Sequence, residues 1–207
     1  MNRTPLHLLV LGDSIAYGTG ALRPDDTLGR RLSAALTADG FDVELRVVAV
    51  PGAVSADLAS QVRRAEPFDA DLAVVVIGAN DLARFLPADQ AAAALAAAVA
   101  ALRARGTDVV AVPAPDMSMV PFVPPAFRPA VRAACAQLQR RQTAVVEAAG
   151  GSVAGVAAEV AGAFGADPAM FSADGFHPSS AGYARIAAAL APSVLAAARA
   201  RRDEAAA

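Results

Sequence analysis

Short apolar runs alternate with longer alanine-rich segments along the whole chain, and this alternation restricts the possible folds more than any other feature. Apolar runs of about four to eight residues bounded by glycine or proline are typical of buried strands, whereas alanine has the highest helix propensity. A strand followed by a helix, repeated five times, predicts an α/β fold in which a parallel sheet carries helices on both faces. The predicted strands are 6–11, 43–50, 72–77, 109–112 and 152–156.

The segments between the predicted strands divide into helices and two less regular stretches. Residues 113–129 are too dense in proline to form a regular element, and the pattern of 157–173 assigns no clear element. We expect 201–207 to form a frayed tail. Helices are predicted at about 26–38, 55–65, 88–104 and 130–149, and from Ser179 or Ser180 to about Arg199.

The length and charge of the chain limit the class of protein. With 207 residues and 56% hydrophobic residues, we expect one domain, 1–207, with a single sizeable core. A net charge of −2 provides no basic surface for nucleic acid. We identify no signal peptide and no membrane span, and the single cysteine, Cys135, excludes an internal disulfide. We therefore expect a cytoplasmic protein without stable membrane insertion.

A serine follows the first predicted strand directly, in Gly12-Asp13-Ser14-Ile15, and precedes a helix-like segment. α/β enzymes place a nucleophile at such a position, because the strand fixes the backbone and the helix N-terminus offers free N–H groups to a developing negative charge. A serine hydroxyl also needs a base, and the base needs a third group to orient it. The alternative interpretation of Ser14 is a helix cap or a turn residue.

Asp174 and His177 supply a candidate base with its orienting group. Their spacing of three positions lets the carboxylate reach the imidazole within one turn. A carboxylate on one ring nitrogen fixes the tautomer and leaves the other nitrogen free to accept the serine proton. The other histidine, His7, lies within the first predicted strand with no carboxylate nearby in sequence, so we interpret it as structural. The alternative for Asp174 and His177 is an Asx-type turn before a helix.

Gly52 and Asn80 follow the second and third predicted strands. Parallel strands joined by right-handed crossovers end on one edge of the sheet, where ligands bind, so we expect Ser14, Gly52 and Asn80 to meet there with the His177 loop folded over them. An asparagine amide can donate a hydrogen bond to an oxyanion, and a glycine lets a carbonyl approach a backbone N–H closely. Both residues also fit ordinary turns.

These four blocks, in this order, resemble the GDSL, or SGNH, hydrolase family, which is named for a serine, a glycine, an asparagine and a histidine. The match covers residues 12–178 and is close around Ser14, around Asn80 and over Asp174-Gly175-Phe176-His177-Pro178. It is looser around Gly52, because the asparagine that family members often carry shortly before this glycine is replaced here.

The resemblance implies a flavodoxin-like three-layer α/β/α sandwich and hydrolysis of a small-molecule acyl ester through an acyl-enzyme. In that scheme Ser14 is the nucleophile, His177 the base and Asp174 the orienting carboxylate. The backbone N–H groups of Ser14 and Gly52 and the side chain of Asn80 form the oxyanion hole. The resemblance implies no metal and no organic cofactor.

The proline-rich loop after the fourth predicted strand is unusually apolar for a loop at this edge. We expect it to form an acyl or leaving-group pocket, with packing on the domain or on a second copy of the chain as the alternative. Its candidate substrate-binding residues are Met117, Met119, Phe122 and Phe127.

Two other functions remain open from the sequence. The same site would serve an acyltransferase or an acyl-thioesterase, which differ from an esterase in the acyl acceptor or the leaving group. A flavodoxin-like binding module without catalysis is less favoured, because all three chemical groups of the predicted triad are present. The sequence makes no prediction of the oligomeric state.

Overall fold

The computed structural model describes residues 3–155 and 157–205, and a five-stranded sheet forms its centre. Neighbouring strands are all parallel and lie in the order second, first, third, fourth, fifth. This is the strand order of flavodoxin-like folds, so the predicted α/β fold with a five-stranded parallel sheet is confirmed. The strands are β1 (Thr4–Gly12), β2 (Phe41–Val47), β3 (Leu72–Val76), β4 (Asp108–Val112) and β5 (Ser152–Val153).

Helices connect the strands, and short 3₁₀ turns occupy several of the loops. The 3₁₀ turns are Pro24–Asp26, Ser55–Asp57, Glu66–Phe68, Met117–Met119, Pro125–Phe127 and Pro168–Met170. The helices of the described residues are α1 (Ser14–Tyr17), α2 (Leu28–Ala38), α3 (Leu58–Ala65), α4 (Ala79–Ala83), α5 (Ala88–Arg103), α6 (Arg128–Ala148), α7 (Ala157–Ala166) and α8 (Ser180–Ala205).

The alternation of side chains along β1 produces the three layers. Leu8 and Val10 join an apolar cluster with residues of α2 and α8, whereas Leu9 and Leu11 join a second cluster with residues of α3 and α5. A strand in the middle of a sheet covered on both faces needs apolar residues at every position, which explains the continuous apolar run. The sheet is therefore enclosed between two helical layers.

Several strands and loops have boundaries or contents in the structure that differ from those predicted. The second strand is shorter than the predicted 43–50 at its carboxyl end, although the N–H groups of Val48 and Val50 continue its ladder by donating to β1. The fifth strand ends at Val153 rather than at the predicted residue 156, which lies outside the described residues. The uncertain stretch 157–173 contains α7 and a 3₁₀ turn, and the proline-rich loop contains two more such turns.

The prediction of a frayed tail from Arg201 is wrong, because α8 continues to Ala205. Arg201 bonds to Asp71 at 2.9 Å and to the carbonyl of Gly106 at 2.8 Å, so its guanidinium ties the last turns to the loops before β3 and β4. The sequence pattern contains no sign of these contacts, since the partners lie far away along the chain. The remaining residues of the predicted tail, 206–207, lie outside the described residues.

By length and composition, α8 would also be able to cross a membrane, with a mean hydropathy of 1.3 over its most apolar window. In the structure its buried residues Tyr183, Leu190 and Val194 belong to the apolar cluster on the α2 face of the sheet. Its outward residues include Arg185 and Arg199, which form ion pairs with Glu159 and Asp39. The helix thus contributes apolar residues to the core and charged residues to the surface.

Candidate active site

Ser14 lies where the strand order reverses, in the loop after β1 and beside the loop after β3. Ligands of doubly wound folds bind at this position, outside the carboxyl ends of the strands. Ser14 is the first residue of α1, and Asp13 caps that helix by accepting the Ile15 N–H at 2.9 Å. The side chain of Ser14 is therefore held by a short, capped turn directly after the central strand.

Gly12 lets this turn form against the neighbouring strand. Its φ is +135°, and a Cβ atom here would lie 1.8 Å from the carbonyl oxygen of Val76. The amide of Gln61, fully buried on α3, accepts the Gly12 N–H and donates to the Gly12 carbonyl, both at 2.8 Å. Because no other residue type tolerates this φ and this contact, the glycine fixes the backbone that carries Ser14.

His177 bridges Ser14 and Asp174, and the structure thus brings together the three residues of the predicted triad. Its Nε2 lies 3.0 Å from Ser14 Oγ, and its Nδ1 lies 2.6 Å from Asp174 Oδ2. Asp174 Oδ1 accepts the N–H groups of Phe176 and His177 and the hydroxyl of Ser172. Desolvation raises the pKa of Asp174, but these hydrogen bonds, led by that from the His177 ring, outweigh it and hold the pKa well below its usual range. The carboxylate thus remains charged beside the imidazole.

The His177 loop can reach Ser14 because a glycine, Gly20, occupies the point at which the His177 loop crosses the loop after α1. Gly20 has a φ of +94°, and a Cβ atom there would lie 2.4 Å from the carbonyl oxygen of Pro178 and 3.1 Å from the Cβ of His177. The fully buried Tyr183 donates its hydroxyl to the carbonyl of Thr19 at 2.8 Å. These contacts hold the loop of His177 against the segment that contains Ser14.

The loops of Gly52 and Asn80 flank Ser14, since β2 and β3 lie on either side of β1. Side chains of the Asn80 loop hold the Gly52 loop: Asn80 Nδ2 donates to the carbonyl of Ala53 at 2.9 Å, Arg84 donates to the carbonyl of Gly52 at 2.8 Å, and Asp81 accepts the N–H and the hydroxyl of Ser55. Among the described residues, the N–H groups of Ser14 and Gly52 donate no hydrogen bond. Both donors thus remain available at this edge.

A second carboxyl, that of Asp13, is enclosed directly beside Ser14. It is 1% exposed, and its Oδ2 has no hydrogen-bond partner within the described part of the chain. Burial raises the pKa of Asp13 to about 7 against the hydrogen bond from Ile15, which lowers it, and the charge of Asp81 raises it further. Burial raises the pKa of Asp81 as well. Both aspartates thus hold loops through backbone N–H groups, Asp13 through that of Ile15 and Asp81 through that of Ser55.

An apolar pocket of about 100 Å³ opens beside Ser14 and His177. It lies on the α8 side of the sheet, below the carboxyl ends of β3 and β4, and α7 borders it. Met117 and Met119 of the predicted substrate loop line it. Further apolar residues of its wall are Val76, Val112, Val120, Val160, Ala161, Phe164, Phe171, Phe176 and Ile186.

Phe122 and Phe127, the other two residues of the predicted substrate loop, are not part of this wall. They are 64% and 63% exposed. Phe122 stacks on the outer side of Phe176 with a centroid distance of 5.9 Å, and Phe127 ends the 3₁₀ turn that leads into α6. The loop leaves the pocket after Val120 and runs over the surface, which explains why only its first part contributes to the wall.

A sequence model of the GDSL-like Lipase/Acylhydrolase family matches residues 10–185. The chain belongs to this family. The matched range contains all four blocks on which the resemblance was based, and it extends into α8. The predicted family membership is therefore confirmed.

Known proteins with similar sequences and structures include other members of this family. A GDSL-like esterase of Mycobacterium tuberculosis is 36% identical over 185 residues, which cover 86% of this chain and 58% of that protein. The chain thus spans little more than half the length of this relative. The crystal structure of TesA is similar with a TM-score of 0.76 and 25% identity, covering 92% of this chain and 99% of that one. Axe2, an acetylxylan esterase from Geobacillus stearothermophilus, shares the fold with a TM-score of 0.70 and 19% identity over 94% of this chain and 96% of its own.

Two buried glutamines position the site in this GDSL-family chain, and the sequence analysis missed both. Gln61 holds Gly12 from α3, as described above. Gln142 on α6 accepts the N–H of Ala114 at 2.8 Å and donates to the carbonyl of Ile77 at 3.0 Å, which ties together the ends of β3 and β4. A glutamine on the apolar face of an amphipathic helix is the signal that points to such a residue, because a buried amide needs partners.

Proposed function

We propose that this chain is a serine hydrolase that cleaves carboxylic (acyl) esters through an acyl-enzyme. The observation that carries the proposal is the line of contacts from Asp174 through His177 to Ser14 Oγ, at 2.6 and 3.0 Å, beside an apolar pocket. Membership of a lipase and acylhydrolase family supports it. The catalytic mutants of Axe2, which replace a serine, an aspartate and a histidine, involve the same three residue types.

In the first half of the reaction, Ser14 Oγ attacks the ester carbonyl while His177 Nε2 accepts its proton. The tetrahedral intermediate collapses, the bond to the alcohol oxygen breaks, and His177 returns the proton to that oxygen. Asp174 keeps Nδ1 protonated and stabilises the imidazolium, so that Nε2 is the basic nitrogen. The acyl group then remains on Ser14 as an ester.

In the second half, a water molecule replaces the alcohol. His177 accepts a proton from the water as its oxygen attacks the acyl carbon, and then returns the proton to Ser14 Oγ as the acid departs. The oxyanion of both intermediates would accept hydrogen bonds from the N–H groups of Ser14 and Gly52 and from the amide of Asn80. The unpaired state of the two N–H groups among the described residues supports these roles.

Hydrolysis of chromogenic esters from acetyl to dodecanoyl tests the proposal. We expect turnover by the wild type and a loss of at least about 10³-fold for Ser14→Ala, because serine, base and orienting acid act as one unit. A folded Ser14→Ala protein that retains substantial turnover contradicts the mechanism. A serine-directed organophosphate followed by intact-mass analysis should add one adduct to the wild type and none to Ser14→Ala.

Product analysis separates hydrolysis from acyl transfer at the same site. With an added alcohol, an acyltransferase forms the new ester in preference to the free acid, whereas a hydrolase releases the acid. A parallel assay with acyl thioesters measures the thioesterase alternative. We propose hydrolysis of oxygen esters as the main activity.

We further propose that residues 1–207 act as one domain in the cytoplasm. The single sheet with an apolar cluster on each face supports the first part. The one cysteine, buried and without a disulfide partner, fits a reducing compartment. Cell fractionation with an antibody against the chain tests the location.

A further inference from the structure

We propose that α7 closes the acyl end of the pocket and that Phe164 restricts the substrates to esters of short acyl groups. This inference rests on the proposed function, since it assigns the pocket to the part of the substrate that stays on Ser14. The leaving alcohol must diffuse out before water attacks, whereas the acyl group remains bound through both halves of the reaction. An apolar pocket beside the serine therefore suits the acyl chain.

The inner part of the pocket enters the apolar layer between the sheet and α8. Val76, Val112 and Ile186 line it and also belong to the core cluster of this layer. Val160 and Phe164 of α7 pack against the same cluster from the other side. The pocket is thus bounded by the sheet, by α8, by α7 and by the loop after β4, and it can lengthen only if one of these moves.

Three contacts hold α7 in place. A Cβ atom on Gly165 would lie 2.2 Å from Met119 Cε, so the helix touches the 3₁₀ turn that carries the two methionines. A Cβ atom on Gly182 of α8 would lie 2.9 Å from Phe164 Cζ, so the phenyl ring lies directly against the backbone of α8. The carboxylate of Glu159 pairs with Arg185 of α8 at 2.8 Å.

Phe164 is the residue of α7 best placed to limit the chain length. Its ring lines the pocket and meets Phe171 edge to face at a centroid distance of 5.0 Å. The contact with Gly182 blocks movement of the ring toward α8. A longer acyl chain would have to displace it from both neighbours.

The volume of the pocket indicates the length of chain that fits. At about 100 Å³ it is smaller than the apolar cavity of roughly 150 Å³ that holds one benzene molecule in another protein. It therefore has room for roughly four acyl carbons in an extended chain.

The experiment compares kcat/KM across chromogenic esters from acetyl to dodecanoyl for the wild type and for two variants, Phe164→Ala, which enlarges the pocket, and Ala161→Phe, which reduces it. We expect the wild type to prefer roughly butyryl and to decline for longer chains. Phe164→Ala should favour longer chains, since each methylene newly buried in apolar surroundings is worth about fourfold. The ratio of octanoyl to hexanoyl ester hydrolysis should then rise roughly 15-fold above that of the wild type.

Ala161→Phe should have the reverse effect, because Ala161 lines the same pocket and a larger side chain fills it. We expect the acetyl ester to be retained and the butyryl ester to lose at least about tenfold. Gly162→Ala is the matched control on α7, since a Cβ atom there meets nothing within 4 Å. Its profile should coincide with that of the wild type.

The results separate the failure of this inference from the failure of the proposed function. Parallel profiles for the wild type, Phe164→Ala and Ala161→Phe, with organophosphate labelling of Ser14 intact, overturn the inference alone. A wild type that neither hydrolyses esters nor becomes labelled overturns both. If Phe164→Ala does not fold, Phe164→Leu takes its place, and we expect a smaller change in the same direction.

Discussion

The buried carboxyl of Asp13 should make the stability of the protein depend on pH in an unusual direction. The side chain is 1% exposed, and one of its two oxygens accepts the Ile15 N–H while the other is buried without a partner among the described residues. Burial raises its pKa from 3.8 to about 7. The folded protein therefore holds this proton over a pH range in which the unfolded chain has already released it.

The sign of the effect follows from proton binding. Between the two pKa values the folded state binds more protons than the unfolded state, so the free energy of unfolding falls as the pH rises, and above the folded-state value the loss is complete. Each pH unit in this range is worth about 1.4 kcal/mol. From pH 5 to the folded-state value of about 7, the contribution of Asp13 amounts to roughly 3 kcal/mol. The raised pKa of Asp81 acts in the same direction.

Chemical unfolding of the wild type and of Asp13→Asn at pH 5 and pH 8 measures this contribution. Asparagine keeps the oxygen that accepts the Ile15 N–H but carries no proton to lose. The stability of Asp13→Asn relative to the wild type should therefore increase by roughly 3 kcal/mol between the two pH values. Because each protein is compared with itself at the two pH values, any effect of the substitution on the free energy of unfolding that does not depend on pH cancels.

Asp25→Asn is the matched control, because Asp25 is exposed on the surface. Its stability relative to the wild type should be the same at both pH values. Equal differences at pH 5 and pH 8 for Asp13→Asn as well would refute the argument, since the carboxyl would then titrate alike in the folded and unfolded chains.

Three further predictions concern other contacts of the site and the fold. His177→Ala should lower kcat as far as loss of the nucleophile does, because the two act as one unit, and steady-state ester hydrolysis measures this. Gln61→Met should lower the free energy of unfolding by roughly 1–3 kcal/mol in chemical denaturation, because it leaves the N–H of Gly12 buried and unpaired, while the Gly12 carbonyl keeps the N–H of Val50 as its partner. Arg201→Ala should cost only about 1 kcal/mol, since its pair with Asp71 is one-third exposed, but it should speed hydrogen exchange in the last turns of α8. Unchanged exchange there would contradict the role given to Arg201.

The sheet and the triad were predictable because their signals lie within short segments of the sequence. The apolar runs of β1 and β3 identified buried strands, and the parallel connections then placed their carboxyl ends on one edge. Asp174 and His177 lie three positions apart, so their contact depends on a single turn. Such features depend on neighbours in sequence, and the sequence alone determines them.

Contacts between distant parts of the chain determined the geometry of the site, the walls of the pocket and the end of α8. His177 meets Ser14 across 163 positions, and no local pattern sets their distance of 3.0 Å. One wall of the pocket comes from α7, in the stretch whose sequence pattern assigned no element, and Phe127 of the apolar loop lies outside the pocket. The last turns of α8 are held by partners around residues 71 and 106. Packing geometry and long-range hydrogen bonds determine these features. Such contacts form only when the helices pack against the sheet, so no local sequence pattern encodes them.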